Sequence, residues 1–129
     1  HLLGQAGLHD DLVLADAHFP ADSHAQRIIR LDGHGVPEIL GAILQFFPLD
    51  TFVDQPAGLM NPVDHQAAEP PIWETYRRLI RQHDSRSFEL EKIERFEFYE
   101  RARNAYAIIA TSETALYANL ILKKGVVVG

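Results

Sequence analysis

Three short apolar segments restrict what this chain can fold into more than any other feature of its sequence. They comprise residues 12–15, 107–111 and 120–122, and each is followed by a polar or charged residue. Apolar runs of this length are typical of strands that are buried within a layered sheet. A membrane-spanning helix needs about 20 apolar residues, so none of these segments is a candidate for one. The sequence therefore predicts a mostly buried central sheet.

Segments with helical hydrophobic spacing alternate with these strands. A first helix is predicted from Pro37, which suits the first helical turn, to Pro48, which stops the pattern. A second opens at Pro70 and Pro71, and a third lies in the C-terminal third of the chain. The apolar positions that define the three helices are Ile39, Leu40, Ile43, Leu44 and Phe47; Ile72, Tyr76, Leu79 and Ile80; and Phe98, Ala102, Ala105 and Tyr106.

Weaker patterns complete the prediction of secondary structure. Residues 28–31 and 51–53 are predicted strands, and so are residues 88–92, where apolar and charged side chains alternate. Residues 55–71 are rich in Pro, Ala and Asp and are predicted to form a long surface loop. Strands that alternate with helices indicate an α/β layered fold.

Length and composition exclude several classes of protein. A chain of 129 residues is long enough for one domain, and we predict a single domain over residues 1–129. The formal charge of −6 argues against sequence-independent binding of nucleic acid, which requires a basic face. Cysteine is absent, which excludes disulfides and thiolate sites and is compatible with a cytoplasmic location.

Two further expectations come from the histidines and from the first residues. The seven histidines lack the spacing that places two imidazoles and a carboxylate on one helical face, so no metal site is predicted. His1, Leu2 and Leu3 resemble the interior of a helix, with neither Met nor a capping residue before them. We therefore expect the sequence to lack some N-terminal residues. No membrane partner is predicted.

Polar side chains in the C-terminal third are candidates for ligand binding. Arg95 and Tyr99 lie in the string RFEFYERA, and Tyr117 and Asn119 lie in LYANLILKKG. These side chains supply the donors and acceptors that hold a neutral polyol. Asp16 adds a carboxylate at the end of the first predicted strand, where ligands bind in α/β sheets. Each residue, taken alone, also fits a structural role as a cap, surface ion pair, core aromatic or turn residue.

Five segments in order give the chain a resemblance to a known family. They are LADAHFPA, IIRLDG, FPLDTFV, RFEFYERARNAYA and LYANLILKKG, at residues 14–21, 28–33, 47–53, 95–107 and 116–125. The chain resembles the family that contains L-fucose mutarotases and D-ribose pyranases over nearly its whole length. The strings HFPA and FYERA favour the fucose branch.

The resemblance implies a fold and an activity. The expected subunit is a three-layer α/β/α structure that assembles into ring-like pentamers or decamers, with active sites near subunit boundaries. The expected reaction opens a pyranose such as L-fucose and recloses it on the other face of the anomeric carbon. Because an acid and a base are sufficient for that reaction, no cofactor is expected. A monosaccharide is the expected binding partner.

The resemblance also assigns roles to particular residues. Asp16 and Arg95 match sugar ligands, and Tyr99 matches a tyrosine that binds sugar or relays a proton. Residues 117–119 match a Tyr-Gly-Asn clamp in which Ala118 replaces glycine, a change that costs energy only if its φ is positive. Asn61 stands where some relatives have an aspartate.

The largest departure from the family pattern lies before the first strand. The family has a proton-donating histidine in a Gly-His-Gly-Asp run, whereas this chain has Gly7-Leu8-His9-Asp10. Leucine cannot transfer a proton, so His9 or His18 takes this role, or the activity is weakened or lost. One alternative to a fucose mutarotase is therefore a sugar-binding or regulatory ring protein without catalysis. Two others are a D-ribose pyranase and a transporter-associated component, which would need a membrane partner.

Overall fold

The computed structural model describes residues 10–62, 68–86 and 88–125, and every structural statement refers to these residues. Strands and helices alternate through most of the chain, in agreement with the predicted α/β class. The order is β1 (Asp11–Ala15), α1 (Ala21–His24), β2 (Ile28–Leu31), α2 (Val36–Ile43), β3 (Ala57–Met60), α3 (Pro71–His83), β4 (Glu91–Ile93), α4 (Arg95–Asn104), β5 (Ala107–Thr111) and β6 (Leu120–Lys123).

The strands form one six-stranded sheet in the order β2-β5-β1-β6-β3-β4. β1 and β2 both run parallel to β5, and β3 runs parallel to β4. β6 lies between β1 and β3 and is antiparallel to both. The other strands therefore all point the same way, and their C-terminal ends share one edge of the sheet with the start of β6. We call this edge the C-terminal edge.

Helices cover both faces of the sheet. Alternate residues of a strand point to opposite faces, and in β1 Leu12 and Leu14 join a core cluster that includes Leu40 of α2 and Tyr76 of α3. Val13 of the same strand joins a second cluster with residues of α1 and α4. The sheet therefore lies between two helical layers, as the resemblance implies.

Most of the predicted elements are present, with small differences at their ends. β1, β2, β5 and β6 occupy the predicted positions. α2 ends at Ile43, before Phe47, although Phe47 is buried beyond the helix. α4 ends at Asn104, so Ala105 and Tyr106 follow the helix.

The prediction was wrong for the segment between α2 and α3. Residues 51–53 form bends instead of a strand, and β3 lies within the predicted loop at 55–71. β4 is also displaced, to residues 91–93. Gly58 has a low intrinsic preference for strands, but a Cβ there would lie 2.6 Å from Ile93 Cδ1. Because residue 58 is a glycine, the buried Ile93 side chain of β4 can pack against β3 at this point.

Candidate active site

The predicted binding residues gather at the C-terminal edge. Asp16 directly follows β1, Asn61 directly follows β3, and Arg95 begins α4 one residue after β4. Tyr117 and Asn119 lie in the turn that leads into β6. The parallel strands and the reversed direction of β6 thus bring together segments that are far apart in the sequence.

A direct hydrogen bond links the first and last of these segments. The backbone N–H of Asp16 donates to Oδ1 of Asn119 at 2.7 Å, across a separation of 103 residues. Because a backbone N–H is a donor only, the oxygen of the Asn119 amide must face it. The Asn119 side chain therefore keeps its Nδ2 group as a hydrogen-bond donor. Because Asn119 is buried, its side chain has little freedom to turn away from this orientation.

The Asp16 carboxylate is partly buried and held by its own loop. Its Oδ1 accepts a hydrogen bond from the His18 backbone N–H at 3.0 Å. Burial raises the pKa of Asp16, and the hydrogen bonds from the backbone of His18 and Phe19, with the charge of His18, offset part of that effect. The negative charge of Glu113 acts in the same direction as burial. Asp16 therefore contacts Asn119 through its backbone N–H, while its carboxylate is held by the loop that follows β1.

The turn at residues 117–119 has an unusual backbone. Tyr117 has a φ of 55°, a conformation that non-glycine residues seldom adopt. Ala118 is not among the described residues with positive φ, so alanine in place of the family's glycine causes no strain of that kind. The carbonyl of Tyr117 accepts a hydrogen bond from Trp73 Nε1 at 2.8 Å. The carbonyl of Ala118 accepts one from the Tyr76 hydroxyl at 2.7 Å.

A second set of contacts connects the residues that follow β5 with the loop that follows β1 and contains Asp16. The Thr111 hydroxyl donates to the carbonyl of Ala15 at 2.7 Å and accepts from the Glu113 N–H at 3.1 Å. The Glu113 carbonyl accepts from the Ala17 N–H at 2.8 Å. Its side chain accepts from the Val36 N–H at the start of α2, at 3.0 Å. These bonds hold the loops after β1 and β5 together.

The remaining predicted residues lie around this centre. Tyr99 on α4 packs against Phe19 and His24, with ring centroids 5.6 Å and 5.3 Å away. The guanidinium carbon of Arg95 lies 4.9 Å from the centroid of the Phe96 ring. His18 is exposed, and its N–H contact with Asp16 keeps it next to the carboxylate.

The N-terminus of α4 sets the position of Arg95. The Glu94 side chain accepts hydrogen bonds from the backbone N–H groups of Phe96 and Glu97, at 2.8 and 3.2 Å. This is an N-cap formed by a glutamate, and it fixes the first turn of α4 at the end of β4. Asn61 is fixed beside it, because its N–H donates to the carbonyl of Ile93 at 2.7 Å.

An open groove adjoins the site. Its volume is about 500 Å³, and it is lined by Asp16, Phe19 and residues at the ends of β5 and β2. Among the predicted site residues that the structure describes, its lining includes Asp16 alone, so the groove and the other predicted residues meet at that carboxylate. His9 and Leu8, the residues at the departure from the family pattern, lie outside the described residues.

Trp73, Tyr76, Thr111 and Glu113 shape the site but were not predicted to do so. Trp73 is the only tryptophan in the sequence, and it stands three residues before Tyr76. Residues with that spacing share a helix face, and buried Trp and Tyr need a partner for their polar atoms. That pair was a usable signal in the sequence. The contacts of Thr111 and Glu113 depend on how the strands are ordered and left no such signal.

Within residues 10–62, 68–86 and 88–125, no group of three or more His, Asp or Glu side chains is arranged to hold a metal ion. No helix in the described part of the chain has both the length and the apolar character required to cross a membrane.

The fold and the site together define a mixed α/β protein with a central six-stranded sheet and a candidate ligand site at the C-terminal edge of that sheet. Comparison with known proteins makes the assignment more particular. The model of the RbsD / FucU transport protein family matches residues 1–127, and the chain belongs to this family.

Individual relatives are similar over nearly the full length. The fucose mutarotase of Homo sapiens is 48% identical over 132 residues, which cover 98% of this chain and 85% of the relative. The L-fucose mutarotase of Actinobacillus pleuropneumoniae is 42% identical, with coverage of 97% and 87%. The fucose mutarotase of Streptococcus pneumoniae, solved in complex with L-fucose, is 48% identical with a TM-score of 0.92, covering 98% of this chain and 89% of that one.

A more distant structure bears on the ribose alternative. Bacillus subtilis RbsD, solved in complex with D-ribose, is 21% identical with a TM-score of 0.75 and covers 98% of this chain and 90% of that one. At that identity the similarity concerns the fold alone. The relatives therefore favour the fucose branch, as the strings HFPA and FYERA predicted.

Proposed function

We propose that this protein is an isomerase that interconverts the α and β anomers of L-fucose or a closely similar pyranose. The observation that carries the proposal is the hydrogen bond between Asp16 and Asn119 at the C-terminal edge. It occurs in a chain with a TM-score of 0.92 to a fucose mutarotase that was solved with L-fucose. The reaction proceeds by acid-base ring opening and closure and requires no cofactor.

The proposed binding roles follow from which atoms are already engaged. Asn119 uses Oδ1 for the Asp16 N–H and donates from Nδ2 to a sugar oxygen. Asp16 uses Oδ1 for the His18 N–H and accepts a sugar hydroxyl with Oδ2. Arg95 and Asn61 add donors from the neighbouring strand ends, and the Tyr117 hydroxyl completes the set. A diol that donates to Asp16 and accepts from Asn119 fits this pair.

The proposed proton transfers use histidine and tyrosine. The backbone N–H of His18 contacts the Asp16 carboxylate, which holds this histidine in the loop beside it, and imidazole is the side chain best suited to proton transfer near neutral pH. Tyr99 is a second candidate, held by its ring contacts with Phe19 and His24. His9 is the third, from its position in the sequence. One of these groups protonates the ring oxygen while another removes the anomeric hydroxyl proton, each step contributing about 10²- to 10⁴-fold.

The proposal is tested by NMR saturation transfer between the two anomers of L-fucose. We expect exchange that increases with protein concentration, and less exchange with D-ribose. An exchange rate equal to that of the protein-free sugar would refute the proposal. Separate His9→Ala and His18→Ala variants test each histidine as the proton donor, because loss of the donor lowers the exchange rate without lowering sugar affinity.

Leu8 supports one alternative function, because it occupies the position of the family's proton donor. A protein that binds sugar without catalysing exchange would give a calorimetric signal with L-fucose and no saturation transfer. Transfer above the protein-free rate would exclude this alternative.

We also propose that the subunit assembles into a ring-like pentamer or decamer and works in the cytoplasm. Large apolar side chains at the surface support an assembly, since Phe52, Phe96 and Leu116 are 72%, 66% and 77% exposed. Light scattering during size-exclusion chromatography measures the mass directly, and a mass of about 14.6 kDa, that of one chain, would contradict the assembly. The lack of cysteine is compatible with the cytoplasm.

A further inference from the structure

The turn at Tyr117 requires support from outside itself. Tyr117 has a φ of 55°, a left-handed conformation that is unfavourable for a residue with a side chain. Such a conformation persists only where surrounding contacts hold it. The next two residues are the buried Ala118 and Asn119, and Asn119 contacts Asp16. Any relaxation of the turn would therefore move the Asn119 amide away from the Asp16 loop.

Two side chains of α3 provide that support. Trp73 and Tyr76 are 2% and 0% exposed, and they donate to the consecutive carbonyls of Tyr117 and Ala118. Burial raises the pKa of Tyr76, and the negative charges of Glu113 and Asp16 contribute. The hydroxyl therefore remains protonated and stays a donor. Its contact with the Ala118 carbonyl, at 2.7 Å, places the Tyr76 hydroxyl one residue from Asn119.

We propose that Trp73 and Tyr76 are positioning residues for the sugar site, which hold the 117–119 turn so that Asn119 meets Asp16. This inference rests on the proposed function for its link to fucose, but not for its geometry. α3 acts as a fixed support behind the turn, because its two hydrogen bonds hold consecutive peptide groups, Tyr117–Ala118 and Ala118–Asn119. Neither side chain needs to touch the sugar.

The first test uses Tyr76→Phe, which removes one oxygen atom and keeps the ring that fills the core. The Ala118 carbonyl then loses its buried donor, and we expect the Asp16 amide to exchange its hydrogen with solvent about tenfold faster. Amides in the middle of β1 should be unchanged. This measurement needs no sugar, so it is independent of the proposed function. An unchanged exchange rate at Asp16 would overturn the inference.

The second test measures function in the same variant. At a temperature where the protein is fully folded, Tyr76→Phe should raise the Kd for L-fucose about tenfold, and Trp73→Phe should act in the same direction. Ile80→Val on the same helix is the matched control, because it weakens the core without touching the turn. We expect it to lower stability while leaving both the Kd and the Asp16 amide rate unchanged.

The outcomes separate the two proposals. Faster amide exchange with weaker fucose binding supports both. If the Asp16 amide exchanges faster in Tyr76→Phe but the wild-type protein neither binds nor converts fucose, positioning by Trp73 and Tyr76 is supported and the proposed function is refuted. If Tyr76→Phe and Ile80→Val changed the Asp16 amide exchange rate and the Kd for L-fucose equally, Tyr76 would contribute only to stability and the inference would be wrong.

Discussion

Replacing Asp16 by Asn should stabilise the fold and weaken the site. The carboxyl is partly buried, and burial is the main reason that its pKa is raised. An ionised Asp16 therefore costs folding free energy that a neutral amide of the same shape does not. Asn can still accept the hydrogen bond from the His18 N–H, so the loop keeps its local geometry.

The expected size of the effect is modest. Two backbone N–H groups already compensate part of the desolvation, so we expect the lower part of the range for stabilising substitutions, about 0.5–1 kcal/mol. For a chain of this length that corresponds to a rise in Tm of about 2–4 °C. Thermal unfolding followed by circular dichroism measures the shift.

The dependence on pH gives a sign that can be checked. Because the folded pKa of Asp16 is raised above its ordinary value of 3.8, the wild type has its full relative stability only below that pH. Stability is lost as pH rises through the folded pKa, and the loss is complete above it. The advantage of Asp16→Asn should therefore be absent at low pH and reach a plateau towards neutral pH.

The same substitution should reduce sugar binding. A hydrogen bond to a charged acceptor contributes about 1.5–3 kcal/mol, so its loss should raise the Kd for L-fucose about 10- to 100-fold. Isothermal titration calorimetry measures the change. If the carboxylate of Asp16 serves sugar binding at a cost in stability, the Asp16→Asn variant should be more stable and should bind sugar more weakly.

Asp84→Asn is the matched control, with the opposite expected sign. Hydrogen bonds from Arg86 lower the pKa of Asp84, and Arg86 Nη2 lies 2.7 Å from its Oδ2. The wild type has this stabilisation above pH 3.8 and loses it as pH falls through the folded pKa. Asp84→Asn should therefore destabilise near neutral pH and leave fucose binding unchanged. If Asp16→Asn also destabilises by 1 kcal/mol or more, the argument from burial is wrong.

Two further substitutions test the fold around the site. Gly58→Ala places a methyl group 2.6 Å from the Cδ1 atom of the buried Ile93 and should lower the free energy of unfolding in urea by about 1–3 kcal/mol. Gly41→Ala in α2, where the nearest outside atom would lie 3.8 Å from the new Cβ, is the control and should be neutral or stabilising. Equal losses of stability in the two variants would contradict the packing argument. Glu94→Ala removes two hydrogen bonds from the first turn of α4 and should cost about 1 kcal/mol by the same measurement, whereas a change below 0.3 kcal/mol would mean that water replaces the cap.

The prediction of secondary structure succeeded where local pattern and burial agree. β1 and β5 each contain a continuous run of four apolar residues, and α2 and α3 repeat their apolar positions at helical spacing, so the signal lies within each segment. β3 carried no such signal. The close approach to its glycine comes from Ile93 on the adjacent strand, and residue 93 is more than 30 positions away. Contacts between strands of that separation cannot be read from the periodicity of either one.

The sequence by itself determined the α/β class, the family and the list of candidate site residues, because each depends on the identity of residues in short segments. Only the tertiary structure decided how those candidates are arranged. The antiparallel insertion of β6 between β1 and β3 brings Asn119 to the Asp16 backbone. The packing of α3 brings the Trp73 and Tyr76 donors to the carbonyls of Tyr117 and Ala118, in the turn where Tyr117 has positive φ. Such effects are non-local, since each partner gains its role only when the sheet has assembled.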